Sequence, residues 1–490
     1  MEDLKLTVAR TIKWNVIDRV ASQLLYAVTG IVLANKLTEE DFGLVGVILI
    51  FQAFASLFVD SGFSSALIQR KSPTRLDYST VLWFNLGVAT VIYVVLFLCA
   101  PLIADIFQGD ERLVPLSRVM FLSFIINASA IVQTNRLMKK MNVKMLAVSN
   151  SAGLIVSAVV GIYLAVAGWG PWAIVWQTIT LASVKSLILW FTSGWTPLWQ
   201  FSWGVLGGFF KVGSGLMFSS FLNTVFQNIY SFFIGYKVGY APLGYYTQAD
   251  KWSKMGIMSL TQAFTASFLP LLSEVQDEPE RYARICGKTH RFTSYLLFPA
   301  MGLLIVMATP IFHTLFGQKW DPSIILFQIL LFRGIFMVLS WQYNNYIISL
   351  GKSKLLVVTE VIRDGVAALA IILTLPYIGL STPDNIVKGV EILLFGQLAA
   401  AIVTWVVSLW FVIRLTHRSL FAYLADIAPY AAQTAVFALP CIMISRLDMA
   451  PLAICILQAL TFAVLYLGIN YLMKSRIQQD VMDYFTKKSR

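Results

Sequence analysis

Apolar runs of about 20 residues, separated by short polar or Gly/Pro-containing breaks, recur along the whole chain. Runs of that length predict helices that cross a bilayer, whereas a transmembrane β-barrel would show alternating segments of about ten residues. The predicted spans lie at residues 13–36, 43–68, 79–103, 113–136, 144–167, 171–193, 206–237, 243–272, 292–316, 323–350, 354–376, 387–415, 426–445 and 450–473. The pattern therefore predicts an all-α integral membrane protein with about 14 transmembrane helices. The longest connection, residues 273–291, is charged and is expected to form an amphipathic helix on the membrane surface.

Composition supports this interpretation and excludes a soluble protein. Only 13% of the residues are charged and 58% are hydrophobic, whereas a soluble globular chain is about 25% charged. The net charge of +12 would suggest nucleic acid as the partner of a soluble protein, but its distribution gives a different answer. Of the 37 Lys and Arg residues, 24 fall on one side of the predicted spans and 6 on the other. By the positive-inside rule both termini are cytoplasmic and the protein is multi-pass, with anionic membrane lipids as neighbours and no nucleic acid.

Charged residues inside the predicted spans are costly in hydrocarbon, so they usually face a partner or a hydrated cavity. Cations outnumber acids there. The basic residues are Arg19, Arg118, Lys185, Lys251, Lys254, Arg333 and Arg363, and the acidic ones are Asp18, Asp60, Asp250, Glu360, Asp364 and Glu391. This excess of cations predicts a cavity for an anionic ligand.

A weak internal repeat divides the chain. Residues 36–43 align with 237–244 at an offset of 201, and further matches follow in order along both halves. The repeat predicts an N-terminal lobe at 1–205, a second lobe at 206–420, and two extra spans with a cytoplasmic tail at 421–490. Two pseudo-symmetric six-helix lobes around a central cavity are typical of a transporter.

Two blocks carry a family resemblance. Residues 59–87, VDSGFSSALIQRKSPTRLDYSTVLWFNLG, and residues 243–320, which include LSEVQDEPER and LFGQKW, resemble bacterial polysaccharide flippases of the O-antigen and colanic-acid (Wzx-like) type. These belong to the multidrug/oligosaccharidyl-lipid/polysaccharide (MOP) superfamily. The resemblance implies two lobes arranged as a V, with spans 1, 2, 7 and 8 lining the cavity. It also implies a substrate, an undecaprenyl-diphosphate-linked oligosaccharide repeat unit for lipopolysaccharide-type polymers, which alternating access moves across the bacterial cytoplasmic (inner) membrane.

Six cations are candidates for binding the substrate headgroup: Arg19, Lys251, Lys254, Arg333, Lys185 and Arg118. Arg and Lys supply charge and hydrogen-bond donors for a diphosphate or for acidic sugars. For Arg19 and Lys251 the alternative is that the side chain extends to the nearer interface, and for Arg118 interface anchoring is favoured. Arg333 has no acid within one helical turn, so its partner must come from another helix or from the substrate. Lys185 also lacks a local acid.

A second set of residues is assigned a structural or ion-coupling role. Glu360, Arg363 and Asp364 form a cluster that can satisfy its own charges, with a cation- or proton-coupling site as the alternative. Asp18 points away from Arg19 and is expected to meet another helix. Asp60 and Gly62 belong to the first family block, where they set a helix contact or a hinge. H+ or Na+ would be the coupling ion.

No catalytic motif, metal-ligand spacing or nucleotide-binding loop is present, so the sequence predicts neither an enzyme nor a cofactor. Within the same superfamily, a peptidoglycan-precursor flippase or a cation-coupled small-molecule exporter remains an alternative. A membrane polysaccharide polymerase is the alternative from another class, although every outer connection is short. Polysaccharide polymerase and assembly proteins are expected partners beside the lipid-linked oligosaccharide.

Overall fold

A computed structural model describes residues 2–60, 67–382, 385–475 and 477–479 of the 490-residue chain. It describes the backbone alone at residues 2–13, 59–60, 210–219 and 353. Helices dominate the described part of the chain. In chain order they are α1 (Glu2–Lys36), α2 (Glu39–Asp60), α3 (Arg75–Ile106), α4 (Leu113–Met120), α5 (Leu122–Lys139), α6 (Val143–Val166), α7 (Trp172–Ser193), α8 (Trp203–Lys237), α9 (Tyr240–Glu274), α10 (Pro279–Val306), α11 (Ala308–Leu315), α12 (Asp321–Ser349), α13 (Ser353–Thr374), α14 (Lys388–Thr416), α15 (Leu420–Ile444) and α16 (Pro451–Leu472).

Helix starts follow local sequence signals. Thr74 caps α3: its hydroxyl accepts a hydrogen bond from the backbone N–H of Asp77, and the Asp77 carboxylate accepts one from the Thr74 N–H at 2.7 Å. This reciprocal capping box satisfies two N–H groups that a helix start otherwise leaves unpaired. Ser202 and Ser419 cap α8 and α15 through their hydroxyl oxygens. Each cap fixes the point at which the chain enters a span.

A membrane-spanning, all-helical fold is confirmed. Among the described residues, 11 helices are long and apolar enough to cross a bilayer, or up to 12 if the bent pair α10 and α11 forms one span. A helix also lies at each of the other predicted spans, on α8 and α13. The exact count of fourteen stays a prediction, because α13 carries three charged residues near its middle.

One connection differs from its prediction. Residues 273–291 do not form a separate surface helix: α9 extends to Glu274 and α10 begins at Pro279. Proline is favoured in the first turn of a helix because its missing N–H has no partner there anyway. Tyr282, Cys286 and His290 then bury one face of the first turns of α10, so the charged stretch is the start of a packed helix.

The chain forms two compact units, Met1–Gly244 and Tyr245–Arg490, and the division falls within α9. In the first unit α6 packs on α1 and α7, while α5 packs on α3 and α7. In the second unit α14 packs on α12 and α13, while α15 packs on α10 and α16. The predicted lobes at 1–205 and 206–420, with an addition at 421–490, stay a prediction.

Two glycines aligned by the repeat lie in a reciprocal contact. A methyl group on Gly43 would overlap the carbonyl oxygen of Tyr240, and one on Gly244 would overlap that of Glu39. At the offset of 201, Gly43 corresponds to Gly244 and Glu39 to Tyr240. The starts of α2 and α9 therefore touch through positions that the sequence repeat aligns.

Candidate functional site

Asp18 on α1 lies in a polar contact with α6. Asn150 Nδ2 donates to Asp18 Oδ1 at 3.2 Å and to Ser22 Oγ at 2.9 Å, and the Ser22 hydroxyl donates to Asp18 Oδ1 at 3.4 Å. Lys185 on α7 is close enough to Asp18 for their charges to attract. Sequence spacing gave Lys185 no local acid, so the fold supplies one from another helix.

Arg19 has a different environment from its neighbour Asp18. Its side chain is exposed, and no hydrogen bond or ion pair joins it to any residue whose side chain the structure describes. Successive residues on a helix point about 100° apart, which explains why the acid packs between helices and the cation does not. Arg19 is therefore available to a ligand.

Lys251 and Lys254 on α9 are not equivalent. Lys254 Nζ lies 2.6 Å from Asp250 Oδ2, four residues earlier on the same helix. Lys251 is exposed, and its ammonium lies 5.2 Å from the centre of the Trp252 ring. Of the two predicted cations, only Lys251 thus lacks an ion pair with a described residue. The four-residue spacing of Asp250 and Lys254 already predicted their pairing on one helix face.

Arg333 on α12 is the most deeply buried of the predicted site cations. Its exposed fraction is 9%, and its Nε has no hydrogen-bond partner among the described residues. The next residue, Gly334, packs against Ile257 on α9, so the guanidinium is carried by a helix that contacts α9 closely. A buried donor without a partner costs about 1–3 kcal/mol, and more when it is charged. Such a group suits a ligand that supplies the missing acceptor.

Two other predicted cations are satisfied locally. Arg118 Nε donates to the Phe97 carbonyl at 3.2 Å, and its guanidinium stacks 4.3 Å from the Phe97 ring centre. Arg363 Nε pairs with Asp364 Oδ1 at 2.9 Å. Glu360 is exposed and makes no ion pair within the described part of the chain. The expected three-residue cluster is therefore a pair with a separate acid.

Asp60 is the last residue of α2, but its side chain lies outside the described residues, as does the whole of Gly62. Their predicted roles as a helix contact or hinge stay predictions.

The sequence interpretation missed a buried ion network in the second unit. Asp426 is 3% exposed; its Oδ1 accepts a hydrogen bond from Arg291 Nε at 2.8 Å, and its Oδ2 forms an ion pair with Arg418 Nη1 at 2.6 Å. His290 Nδ1 lies 3.9 Å from the same carboxylate, and its Nε2 lies 2.9 Å from the Tyr343 hydroxyl. Burial opposes the charged form of Arg418, but hydrogen bonding and charge attraction to Asp426, with smaller contributions from Tyr423 and Tyr346, together outweigh it, so the pKa of the guanidinium is raised.

We call Asp426, His290, Arg291 and Arg418 the Asp426 network. It joins α10 to α15. In the sequence, the sign of this network is Asp426, an acid at the start of an apolar run. Arg291 and Arg418 lie in predicted connections, where the positive-inside rule alone accounts for them. No group of three or more His, Cys, Asp or Glu residues that could hold a metal occurs among the described residues.

Known proteins resemble this chain in sequence and in fold. The family model described as "Polysaccharide biosynthesis protein" matches residues 32–325. The succinoglycan biosynthesis transport protein ExoT of Rhizobium meliloti is 26% identical over 314 residues, 64% of this chain and 63% of that protein. The lipopolysaccharide biosynthesis protein WzxC of Escherichia coli is 26% identical over 331 residues, 66% of each chain. The match thus spans less than two thirds of the length of these two relatives.

Solved structures show the fold. The lipid II flippase MurJ in an inward closed conformation superposes with a TM-score of 0.72 and 14% identity, over 96% of this chain and 100% of that one. An inward-facing multidrug resistance MATE family transporter of the MOP superfamily gives a TM-score of 0.61 and 16% identity, over 81% and 96% of the two chains. The chain therefore has the fold of MOP-superfamily transporters.

Proposed function

Because the chain belongs to the polysaccharide biosynthesis protein family, we propose that it is a flippase for a lipid-linked oligosaccharide. The cargo is an undecaprenyl-diphosphate-linked repeat unit, which alternating access carries across the bacterial cytoplasmic membrane. The matched region, residues 32–325, includes most of the predicted site cations. The names of two relatives, a succinoglycan transport protein and a lipopolysaccharide biosynthesis protein, point to the same class of cargo.

The observation that carries the proposal is the state of Arg333. A cation that is nine-tenths buried, with no partner for its Nε among the residues that the structure describes, is costly to keep unless a ligand supplies an acceptor. The diphosphate of a lipid-linked sugar offers anionic oxygens that guanidinium groups bind well. Exposed Arg19 and Lys251 add positive charge, and neither forms an ion pair with a described side chain, because the adjacent acids Asp18 and Asp250 contact other residues. We assign these three residues to the headgroup path.

The charge of the cargo separates this proposal from an exporter of cationic drugs, which the MATE-like fold would also permit. Positive side chains that lack acidic partners repel a cationic ligand and attract an anionic one. A peptidoglycan-precursor flippase would carry the same diphosphate, so its cargo differs in the group attached to the diphosphate. The polysaccharide family assignment favours an oligosaccharide repeat unit over that precursor.

The bias of basic residues supports an orientation with both termini in the cytoplasm. In that orientation Arg19 meets the headgroup early in the crossing, and Lys251 meets it late. The prenyl tail stays in the lipid, so only the headgroup needs a hydrated, cationic route. This gives each proposed residue a distinct stage of one transport cycle.

Export in cells tests the proposal. In a strain that depends on this protein for its polysaccharide, Arg19→Gln combined with Arg333→Gln should trap lipid-linked oligosaccharide in the inner leaflet and lower polymer export at least tenfold. Arg446→Gln is the matched control, since Arg446 lies exposed in the connection between α15 and α16. Membrane levels of all variants are measured by immunoblot. Normal export by the Arg19/Arg333 variant at equal membrane level would exclude the cationic path.

A further inference from the structure

A basic pocket in the first unit is not explained by the proposed transport path. It has a volume of about 420 Å³, within the range of about 300–1,000 Å³ that ligand sites usually have. It lies where α3 begins, where α5 ends and just after α7, at the ends of spans that carry most of the basic residues. Its lining residues are Pro73, Arg75, Tyr78, Arg136, Lys139, Lys140 and Trp195.

Two of the four cations are held in place by neutral groups. Arg75 donates from Nε to the Thr196 carbonyl at 3.0 Å and from Nη2 to the Thr196 hydroxyl at 2.7 Å. The ammonium of Lys139 donates to backbone carbonyls of the segment before α3, among them that of Ile68 at 3.3 Å. These contacts fix the position of both side chains and leave their charge uncompensated.

The other two cations carry donors that no described residue meets. Arg136 Nη1 is buried, and no acceptor among the described residues reaches it. Lys140 is exposed and makes no hydrogen bond or ion pair within the described part of the chain. Both side chains can therefore turn their donors to a ligand.

The floor of the pocket is aromatic. Tyr78 is 8% and Trp195 7% exposed, and their rings meet edge to face with centroids 6.1 Å apart. Trp195 Nε1 is buried without a hydrogen-bond partner among the described residues. Buried N–H donors are nearly always satisfied, so the indole N–H and Arg136 Nη1, which line the same pocket and lack a partner among the described residues, suit an acceptor that a ligand supplies.

No acidic residue is among the described side chains that line the pocket. The nearest acid in sequence is Asp77, which is 1% exposed. Its carboxylate pairs with Arg70 Nη1 at 3.0 Å and accepts the Thr74 N–H at 2.7 Å. Asp77 is thus occupied by other partners, and four cations remain to attract an anion.

We propose that this pocket binds the phosphate headgroup of a lipid in the cytoplasmic leaflet. Tryptophan and tyrosine prefer the headgroup level of a bilayer, and basic pockets between transmembrane helices on the cytoplasmic side suit phosphate headgroups. Four cations favour a headgroup with two phosphates, such as that of cardiolipin or of a prenyl diphosphate. The site is distinct from Arg19, Lys251 and Arg333, and it would exist whatever cargo the protein carries.

Native mass spectrometry of the full chain tests the site. The protein is purified in mild detergent and titrated with cardiolipin, phosphatidylglycerol, phosphatidylcholine or geranylgeranyl diphosphate. Arg136→Gln combined with Lys140→Gln should weaken binding of the diphosphate lipids roughly tenfold or more, because each surface cation contributes substantially to anionic-lipid affinity. The matched control is Lys352→Gln with Lys354→Gln, which removes the same charge from two exposed positions at the start of α13 in the second unit. It should stay within about twofold of the wild type.

Competition separates the sources of the phosphate. Preferred binding of cardiolipin identifies a resident phospholipid, and preferred binding of geranylgeranyl diphosphate identifies a staging site for prenyl-linked cargo; either result supports a lipid phosphate site. Displacement of both lipids by millimolar inorganic phosphate would overturn it, as would equal losses in the pocket and control variants. Lys140→Gln alone guards against misfolding, because Lys140 is exposed, and it should still weaken binding severalfold.

Discussion

Two sites in the second unit place arginines in opposite electrostatic surroundings. In the Asp426 network, Arg291 and Arg418 share a carboxylate that is 3% exposed, at 2.8 and 2.6 Å. Arg333 on α12 is almost as buried as this carboxylate, but within the described part of the chain it forms no ion pair and its Nε has no hydrogen-bond partner. The same kind of side chain is thus compensated in one place and left open in another.

This difference suggests a structural role for the Asp426 network and a functional role for Arg333. A buried charge that is paired with opposite charges holds together the helices that bear them, and removing one partner leaves an uncompensated charge in the interior. A buried charge without a partner destabilises the fold and is retained where a ligand uses it. We therefore expect the Asp426 network to determine stability and Arg333 to determine transport.

The largest effect on stability should come from Asp426→Asn. Loss of the carboxylate leaves Arg291 and Arg418 without their shared partner, which should lower the free energy of unfolding by about 3 kcal/mol. Thermal unfolding in detergent, followed by tryptophan fluorescence, measures the loss. Asp448→Asn is the control, because Asp448 is exposed in the connection between α15 and α16. Equal Tm values for the two variants would contradict a structural role for the network.

Arg333→Met should act in the opposite direction. Methionine fills a similar volume without a charge, so the free energy of unfolding should rise by about 1–3 kcal/mol. The same thermal unfolding assay reports it, in the absence of added lipid-linked sugar. A decrease similar to that of Asp426→Asn would mean that Arg333 has a structural partner, and the contrast between the two sets would fail.

Tyr343→Phe should have a smaller effect within the network. It removes the hydroxyl that lies 2.9 Å from His290 Nε2 and leaves the ring packing intact. We expect a loss of about 1 kcal/mol in the free energy of unfolding, the usual value for one buried hydrogen bond. A change of less than about 0.3 kcal/mol would show that His290 is positioned by Asp426 alone.

Lys254→Gln should change stability least. Its ammonium pairs with Asp250 at 2.6 Å, but 43% of the side chain is exposed, and exposed pairs four residues apart contribute about 0.3–0.5 kcal/mol. Transport should fall less than with Lys251→Gln, since Asp250 already neutralises Lys254. Equal transport losses for the two lysine variants would place Lys254 in the path despite its partner.

Apolar runs of bilayer length predicted the helical fold well, because hydrocarbon requires each spanning segment to satisfy its own backbone. Gly43 and Gly244 also emerged from the sequence, since the repeat placed them at equivalent positions. The prediction of a separate surface helix at residues 273–291 was wrong. Polar residues can lie in the first turns of a long helix as well as on a membrane surface, and the sequence does not distinguish the two cases.

Partners of intramembrane charges were harder to predict. A pair on one helix, such as Asp250 and Lys254, could be found from spacing alone. Lys185 and Asp18 come from different helices, and so do Arg291 and Asp426, which lie 135 residues apart. Such contacts depend on which helices pack together, and a single sequence does not specify that. The basic pocket could not be predicted for the same reason, because its cations lie on different helices and the sequence indicates only that they are on the cytoplasmic side.

Transport in reconstituted vesicles tests the central claim most directly. A fluorescent prenyl-diphosphate-linked disaccharide is placed in both leaflets, and quenching from outside follows its movement, with a prenyl-linked neutral sugar lacking the diphosphate as the comparison. The account predicts that wild-type protein moves the diphosphate-linked probe at least tenfold faster than the neutral one, and that Arg333→Gln abolishes this preference without lowering Tm. Equal rates for the two probes, or an unchanged preference in Arg333→Gln, would contradict it.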